Sequence, residues 1–301
     1  MWKESLQREM GHTIRGKMLF DAPMSQYTSL RIGGPADALA FPEDERDLQN
    51  LMSLVREKGI PYMVMGKGTN ILVRDGGIRG LVMNLSSGFR SISATRERIR
   101  AGAGILLNDM IGYAMRRGLS GLASLYGIPG TVGGGLAMNA GAWGSEVKER
   151  IETITVMNGD GKTREIVKED LVFDYRNLHL PRGTIIVEGA FLMERDKKER
   201  IEKEIAFYGQ KRRETQPLTF PTAGSVFKNP PGISAGKIIE ELGLKGKRIG
   251  EAEVSRIHGN FIVNRGSATA SHVLELIDLI QEKVSRERGM TLEPEVRIVG
   301  E

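Results

Sequence analysis

The sequence predicts an α+β fold of two domains, and three observations carry that expectation. Short apolar runs broken by glycines are interspersed with stretches of helical periodicity, without the regular strand–helix alternation of a Rossmann fold. The length of 301 residues suits two domains with a substantial core. The composition changes after a charged helical stretch at 195–213, where Pro217, Pro221, Pro230 and Pro231 mark a loop over 214–232.

Taken in order, residues 1–26 read as an irregular or partly helical arm. Glu43, Asp44 and Glu45 open a helix over 44–58, with Leu48, Leu51, Met52 and Val55 at helical spacing and Gly59 and Pro61 as its stop. Tyr62–Met65, Ile71–Val73 and Leu81–Met83 read as strands. A helix over 105–117 carries Leu106, Leu107, Met110, Ile111 and Ala114 on one side and stops at Gly118. A long glycine-rich segment, 121–144, follows it. Asn158-Gly159-Asp160-Gly161 between Ile151–Met157 and Thr163–Val167 is a hairpin signal. A strand or strand pair covers 184–193. In the second half Ser234 is a plausible cap for a helix over 234–242, and Phe261–Val263 is a strand. A helix over 271–288 has Val273, Leu276, Ile277, Ile280 and Val284 on one face, and strand Val296–Val299 closes the chain.

Composition excludes whole classes of chemistry. The chain has no cysteine, which removes disulfides, thiolate nucleophiles, zinc–thiolate sites and iron–sulfur clusters. Its four histidines, His12, His179, His258 and His272, are not paired at metal-ligand spacing, so no metal site is expected. The net charge of +5 is mild, and basic residues are interspersed with acidic ones, as in Asp196-Lys197-Lys198-Glu199-Arg200. Nucleic acid is therefore not an expected partner, while a pull on small anions such as phosphates or carboxylates is. No apolar leader follows Met1-Trp2-Lys3-Glu4-Ser5, and no run of about 18 apolar residues occurs, so the expectation is a cytoplasmic protein without membrane insertion.

Glycine numbers 38, and much of the excess falls in two loops. The first is Gly66-Lys67-Gly68-Thr69-Asn70, leading into Ile71, with Gly76, Gly77 and Gly80 behind it. The second is Gly127-Ile128-Pro129-Gly130-Thr131-Val132-Gly133-Gly134-Gly135, followed by Gly141 and Gly144. Glycine lets backbone N–H groups converge on an anion, and Lys67, Thr69, Asn70 and Thr131 add donors, so the loops suit a pyrophosphate. Neither is a Walker A or Rossmann fingerprint: Lys67 is followed by Gly68, and Gly66 and Gly68 lead into a strand. Read alone, each is equally a tight turn.

Four polar residues of the remainder stand out. Arg176 in Phe173-Asp174-Tyr175-Arg176 is either a surface arginine or a bidentate clamp for a carboxylate. Ser225 follows two small residues in Thr222-Ala223-Gly224-Ser225 and either caps a turn or presents its hydroxyl to a ligand. It lacks the G-x-S-x-G elbow, so a hydrogen-bond or proton donor is the chemistry it suits, not an acyl nucleophile. Glu295, after the stiffening Pro294, is an exposed carboxylate, an acid or an enolate support. His258, before Phe261–Val263, is a packed imidazole or a ligand contact.

Together these segments resemble the UDP-N-acetylenolpyruvoylglucosamine reductases, also called UDP-N-acetylmuramate dehydrogenases. The resemblance runs from Thr28 to Val299 and is carried by Thr28-Ser29-Leu30-Arg31-Ile32-Gly33-Gly34-Pro35-Ala36, Gly66–Val73 and Gly127–Gly144 with Met138-Asn139-Ala140-Gly141. It continues through Tyr175-Arg176, Arg212-Arg213-Glu214, Gln216-Pro217, Ala223–Pro230 and Leu292–Val296. It implies an FAD-binding domain of the vanillyl-alcohol-oxidase type over 1–200, with subdomains at about 22–88 and 89–200. A smaller α+β substrate domain follows over 201–301, its last strand carrying Glu295. FAD is then non-covalent, in keeping with loops that hold neither cysteine nor histidine, and NADPH is the hydride donor. The cofactor residues carried over are Gly66, Lys67, Gly68, Thr69, Asn70, Ile71, Gly127, Pro129, Gly130, Thr131, Gly133, Gly134, Asn139 and Gly141. The implied reaction reduces the enolpyruvyl ether of a UDP-sugar to the lactyl ether of UDP-N-acetylmuramate, a step of peptidoglycan precursor synthesis. Arg176 and Glu295 stabilise the enolate, Ser225 gives the proton to C2, and Arg213, Asn229 and His258 contact substrate or flavin. Ten residues separate Arg176 from Val187, which matches the shorter, second subclass, and a monomer is expected. One departure is Leu178, where the family often has serine.

Overall fold

The computed structural model describes residues 4–301; residues 1–3 of the expected N-terminal arm lie outside them. The chain forms two compact units. The first runs up to Phe20 and takes in Ala38–Lys67 and Gly80–Lys211; the second takes in Asp21–Asp37, Gly68–Arg79 and Arg212–Glu301. This division differs from the expected break near residue 200. The physical reason is a parallel pairing of strand Arg297–Val299 with Ile71–Val73, which draws an early segment into the C-terminal unit. Ser29 and Asn264 do the same for the 21–37 segment: Ser29 Oγ donates to Thr222 O at 2.7 Å and Asn264 Nδ2 to Leu30 O at 3.1 Å. No local periodicity signals such distant pairings.

The first unit is built on a five-stranded antiparallel sheet. Its order is Thr163–Val167, Ile151–Met157, Ile185–Leu192, Arg98–Gly102, Ile92–Thr95. The hairpin at Asn158–Gly161 has the expected strands, because Asn158 Oδ1 accepts from Asp160 N and Lys162 N and fixes the turn. Ile99, Ile154 and Phe191 of the sheet share a core with Leu107, Met110, Val132 and Leu136. The helices supplying those contacts are Leu107–Met115 and Val132–Ala137. A second core gathers Leu48, Leu51, Met52 and Val55 of helix Glu45–Lys58 with Leu81, Met83, Met157 and Val187. That helix has clear ends: Asp44 Oδ1 accepts from Asp47 N at 3.0 Å, and Gly59 closes it at φ 63°. Strand Tyr62–Met65 runs parallel to Leu81–Asn84 and ends at the first glycine loop.

Asp47 ties the N-terminal segment to this unit. Its buried carboxylate accepts from the backbone N–H of Arg15 at 3.2 Å, Gly16 at 3.1 Å and Glu43 at 3.1 Å. Burial pushes its pKa up, but these N–H groups and the Arg15 side chain outweigh that and hold it below the usual carboxylate range. A depressed pKa gives stability that is full above the unfolded value of about 3.9 and is lost as pH falls through the lower folded one. Asp47→Asn removes the charged acceptor, and we expect it to lower stability at neutral pH by about 1–3 kcal/mol. Thermal melts from neutral to acid pH should show its deficit shrinking as the wild-type carboxylate protonates.

The second unit packs helices Ala235–Glu241 and Ala270–Arg288 on an antiparallel sheet ordered Thr222–Ser225, Phe261–Asn264, Ala252–Val254, Arg248–Ile249. Val273, Leu276, Ile277 and Ile280 fill the core with Ile238, Ile239, Val254 and Ile262. Asp75 caps the longer helix, accepting from Ala270 N at 2.8 Å and Ser271 N at 2.9 Å. Among the described residues no helix is long and apolar enough to cross a membrane, and no group of three or more His, Asp or Glu could hold a metal ion.

Several elements depart from the sequence reading: Lys17–Pro23, inside the expected irregular or partly helical arm, is a strand, and strands Ile92–Thr95 and Arg98–Gly102 are not signalled. The glycine-rich 121–144 segment holds the helix Val132–Ala137, despite three consecutive glycines. Thr131 caps it by accepting from Gly134 N at 3.3 Å, and Leu136 and Val132 anchor it in the core. Thr222–Ser225, inside the expected proline-rich loop, is a sheet strand paired with Phe261–Asn264.

Candidate active site

In the second unit, Ser225 and Glu295 are brought onto neighbouring segments. The register of strand Thr222–Ser225 shifts between Thr222 and Ser225, with Gly224 at φ 81°. A bulge of this kind re-aims the side chain that follows it. Ser225 ends the strand opposite Phe261, and the chain continues into buried Val226 and Phe227. Val226 O accepts from Glu295 N at 2.7 Å, Phe227 bridges Pro294, and Lys228 N donates to Glu293 O at 2.8 Å. Asn70 Nδ2 donates to Glu295 O at 3.1 Å, and Asn70 O accepts from Arg297 N at 3.0 Å. Asn70, expected as a cofactor residue, therefore also holds the glutamate's backbone.

Asn260 is the residue that sequence reasoning passed over. Its side chain is buried and pairs with Phe227 like a ladder partner: Phe227 N donates to Oδ1 at 2.9 Å and Nδ2 donates to Phe227 O at 2.7 Å. Val226 N also donates to Asn260 O at 2.9 Å. Nothing local marks an asparagine as the clamp of a segment more than thirty residues away. Asn260→Ala leaves a buried N–H and a buried C=O unsatisfied, so we expect about 2–5 kcal/mol of lost stability, read from thermal unfolding.

Two of the expected substrate residues of this unit, Asn229 and His258, have structural partners too. Asn229 Oδ1 accepts from Ala235 N at 3.0 Å, at the start of helix Ala235–Glu241. Ser234 occupies the cap position, but its side chain makes no capping bond. His258 Nδ1 accepts from Asn260 N at 3.1 Å, and its ring meets the Phe261 ring edge-on at 4.8 Å. Burial, and then Lys245, push its pKa down, which favours the neutral imidazole, and an Nδ1 that accepts leaves Nε2 as the ring donor. Arg213 is exposed on helix Lys198–Thr215, whereas Arg212 beside it is buried, its pKa lowered by burial to about 10.

In the first unit, Arg176 sits in a two-residue turn between the paired strands Val172–Asp174 and Asn177–His179. Its φ is 59°, and Nη2 donates to Gly141 O at 3.1 Å. Leu178, the departure from the family pattern, is buried in the core and anchors this hairpin. Elsewhere in this unit Gly66 of the first glycine loop lies against Thr131 of the second: a Cβ on Gly66 would lie 2.3 Å from Thr131 Oγ1. Asn108 Oδ1 accepts from Gly127 N at 2.7 Å and fixes the start of the second loop. Among the described residues, the N–H groups of Lys67 and Gly130 in this unit donate to no protein acceptor. Gly130 is buried. Open N–H groups in glycine loops of this kind suit an anion such as a pyrophosphate. Asn139, expected as a cofactor residue, has its side-chain amide taken up by protein partners.

Residues 36–166 match a family described as FAD binding domain. The α+β fold, the glycine loops and this match define the class: an FAD-dependent oxidoreductase with an FAD-binding domain joined to a smaller α+β domain. Residues 216–299 match the C-terminal domain of UDP-N-acetylenolpyruvoylglucosamine reductase. The enzyme of that name from Pelobacter propionicus is 46% identical over 97% of this chain and 98% of its own. That from Geobacter metallireducens is 45% identical over 99% of each. The crystal structure of the reductase from Thermus caldophilus superposes with a TM-score of 0.82 at 38% identity, covering 95% of this chain and 100% of that one. The chain belongs to the UDP-N-acetylenolpyruvoylglucosamine reductase family.

Proposed function

We propose that the protein reduces the enolpyruvyl ether of UDP-N-acetylglucosamine enolpyruvate to UDP-N-acetylmuramate, with NADPH as reductant, in the cytoplasmic synthesis of peptidoglycan precursors. The observation that carries this reading is the Glu295 N–Val226 O bond of 2.7 Å, which keeps Ser225 and Glu295 on adjoining segments. FAD would be held non-covalently by Gly66, Lys67, Gly68, Thr69, Asn70, Ile71, Gly127, Pro129, Gly130, Thr131, Gly133, Gly134 and Gly141. When bound it supplies the relay of hydride from NADPH to C3 of the enolpyruvyl group. The chain's own residues manage the charge and the proton. Arg176 and Glu295 stabilise the negative charge that builds on C2 and the carboxylate. Ser225 gives its hydroxyl proton to C2 as a general acid, which a serine does only toward a strongly basic carbon in a site closed to water. Arg213, Asn229 and His258 contact the substrate. The N-terminal domain carries the flavin, the C-terminal domain the UDP-sugar, and the protein works as a monomer.

Steady-state assays test this. NADPH oxidation should depend on the enolpyruvyl UDP-sugar and yield the lactyl ether by mass spectrometry. Turnover with oxygen alone, and none with that substrate, contradicts the proposal.

A further inference from the structure

We propose that Asn139 is a positioning residue for Arg176, acting through the hairpin that carries it and not through contact with the flavin. This rests on the reductase reading above. Two separate demands meet at Asn139. The first is on its backbone. It follows helix Val132–Ala137 at φ 40°, with its N–H bonded to Leu136 O at 3.0 Å and Ala140 N bonded to Gly135 O at 2.7 Å. This is a Schellman ending, where the left-handed residue is usually glycine and sometimes asparagine. That accounts for a backbone of this shape but not for the side chain.

The second demand is on the amide. The side chain is fully buried. Nδ2 donates to Glu146 Oε2 at 3.0 Å and to Asp174 O at 3.1 Å, and Oδ1 accepts from Lys148 N at 3.4 Å. An amide has two N–H donors, and here both go to protein acceptors. One of those acceptors, Asp174, is the last strand residue before the Tyr175-Arg176 turn. Arg176 in turn donates to the carbonyl of Gly141, two residues after Asn139. Asn139, Asp174, Arg176 and Gly141 therefore close a ring of covalent and hydrogen bonds. An arginine held in the left-handed region persists only when its surroundings over-determine it. Asn139 supplies a tether on the entering strand, and buried Leu178 supplies one on the leaving strand. Freed of the amide, the turn loses its fixed relation to the Gly141 carbonyl.

Asn139→Gly tests this cleanly, because glycine keeps the left-handed helix ending and removes only the amide. We expect the reoxidation of NADPH-reduced enzyme by the enolpyruvyl substrate to slow roughly 10- to 100-fold. Flavin affinity and flavin reduction by NADPH should stay unchanged. Backbone amides of 172–179 should exchange faster with deuterium in the flavin-free protein. In an Arg176→Ala background, Asn139→Gly should slow the substrate half-reaction no further. Glu146→Ala, which removes one acceptor and leaves the bond to Asp174, should give a milder slowing of the same half-reaction. Loss of flavin, equal slowing of both half-reactions, unchanged hairpin exchange, or full additivity with Arg176→Ala would each overturn the proposal. If wild-type enzyme is not reoxidised by the substrate, the reductase reading fails instead, and hairpin exchange still decides the positioning role.

Discussion

Ser225→Ala should slow the substrate half-reaction by about 10²–10⁴-fold, the usual worth of a positioned general acid. Flavin reduction by NADPH should stay near the wild-type rate, because no proton on C2 is involved in that half. The split is the informative part. Ser225 ends a strand whose next two residues are clamped by Asn260 and Glu295, so loss of a hydroxyl leaves the backbone pairing in place. Anaerobic stopped-flow following both half-reactions in wild type and variant reads it directly. Ser225→Cys, which keeps a weak donor of similar size, should recover part of the rate. Equal loss in both halves would mean that Ser225 supports the flavin and not the protonation.

The second large effect is expected at Gly66. Any side chain there meets Thr131 Oγ1 at 2.3 Å, and Thr131 is buried and committed to capping the helix Val132–Ala137. Gly66→Ala must therefore push the two glycine loops apart or break the cap. Overpacking of this kind costs about 1–3 kcal/mol, and the whole of it falls on the loops we propose to hold the pyrophosphate. The variant should purify with its flavin largely lost, seen as missing visible absorbance, while its far-ultraviolet circular dichroism is retained. A variant that is as yellow as wild type, with unchanged FAD affinity in titration, would remove the first loop from the binding site.

How far the sequence reached can be read from particular elements. Tyr62–Met65, Ile71–Val73 and the Ile151–Val167 hairpin stand where periodicity and turn chemistry put them, because each rests on local signals. Helix Val132–Ala137 was illegible, since three glycines defeat any propensity argument and its stability comes from a cap and a packed leucine. The strand leading to Ser225 was hidden by flanking prolines. The division into units was hidden by the pairing of Ile71–Val73 with the last strand, which only tertiary contact reveals. For the site, the resemblance supplies candidate residues and their order along the chain. It does not supply their supports. Asn260, Asn108 and the bridging role of Asn139 are set by where a buried amide finds its partners, and spacing along the chain carries no trace of that.

We propose that Ser225, Arg176 and Glu295 serve a reduction whose acceptor is the enolpyruvyl ether. The most direct measurement is a single turnover: enzyme reduced by one equivalent of NADPH, then mixed without oxygen with UDP-N-acetylglucosamine enolpyruvate. The oxidised flavin spectrum should return in step with formation of UDP-N-acetylmuramate. A flavin that stays reduced in the presence of that substrate, and is reoxidised only when oxygen is admitted, would contradict it.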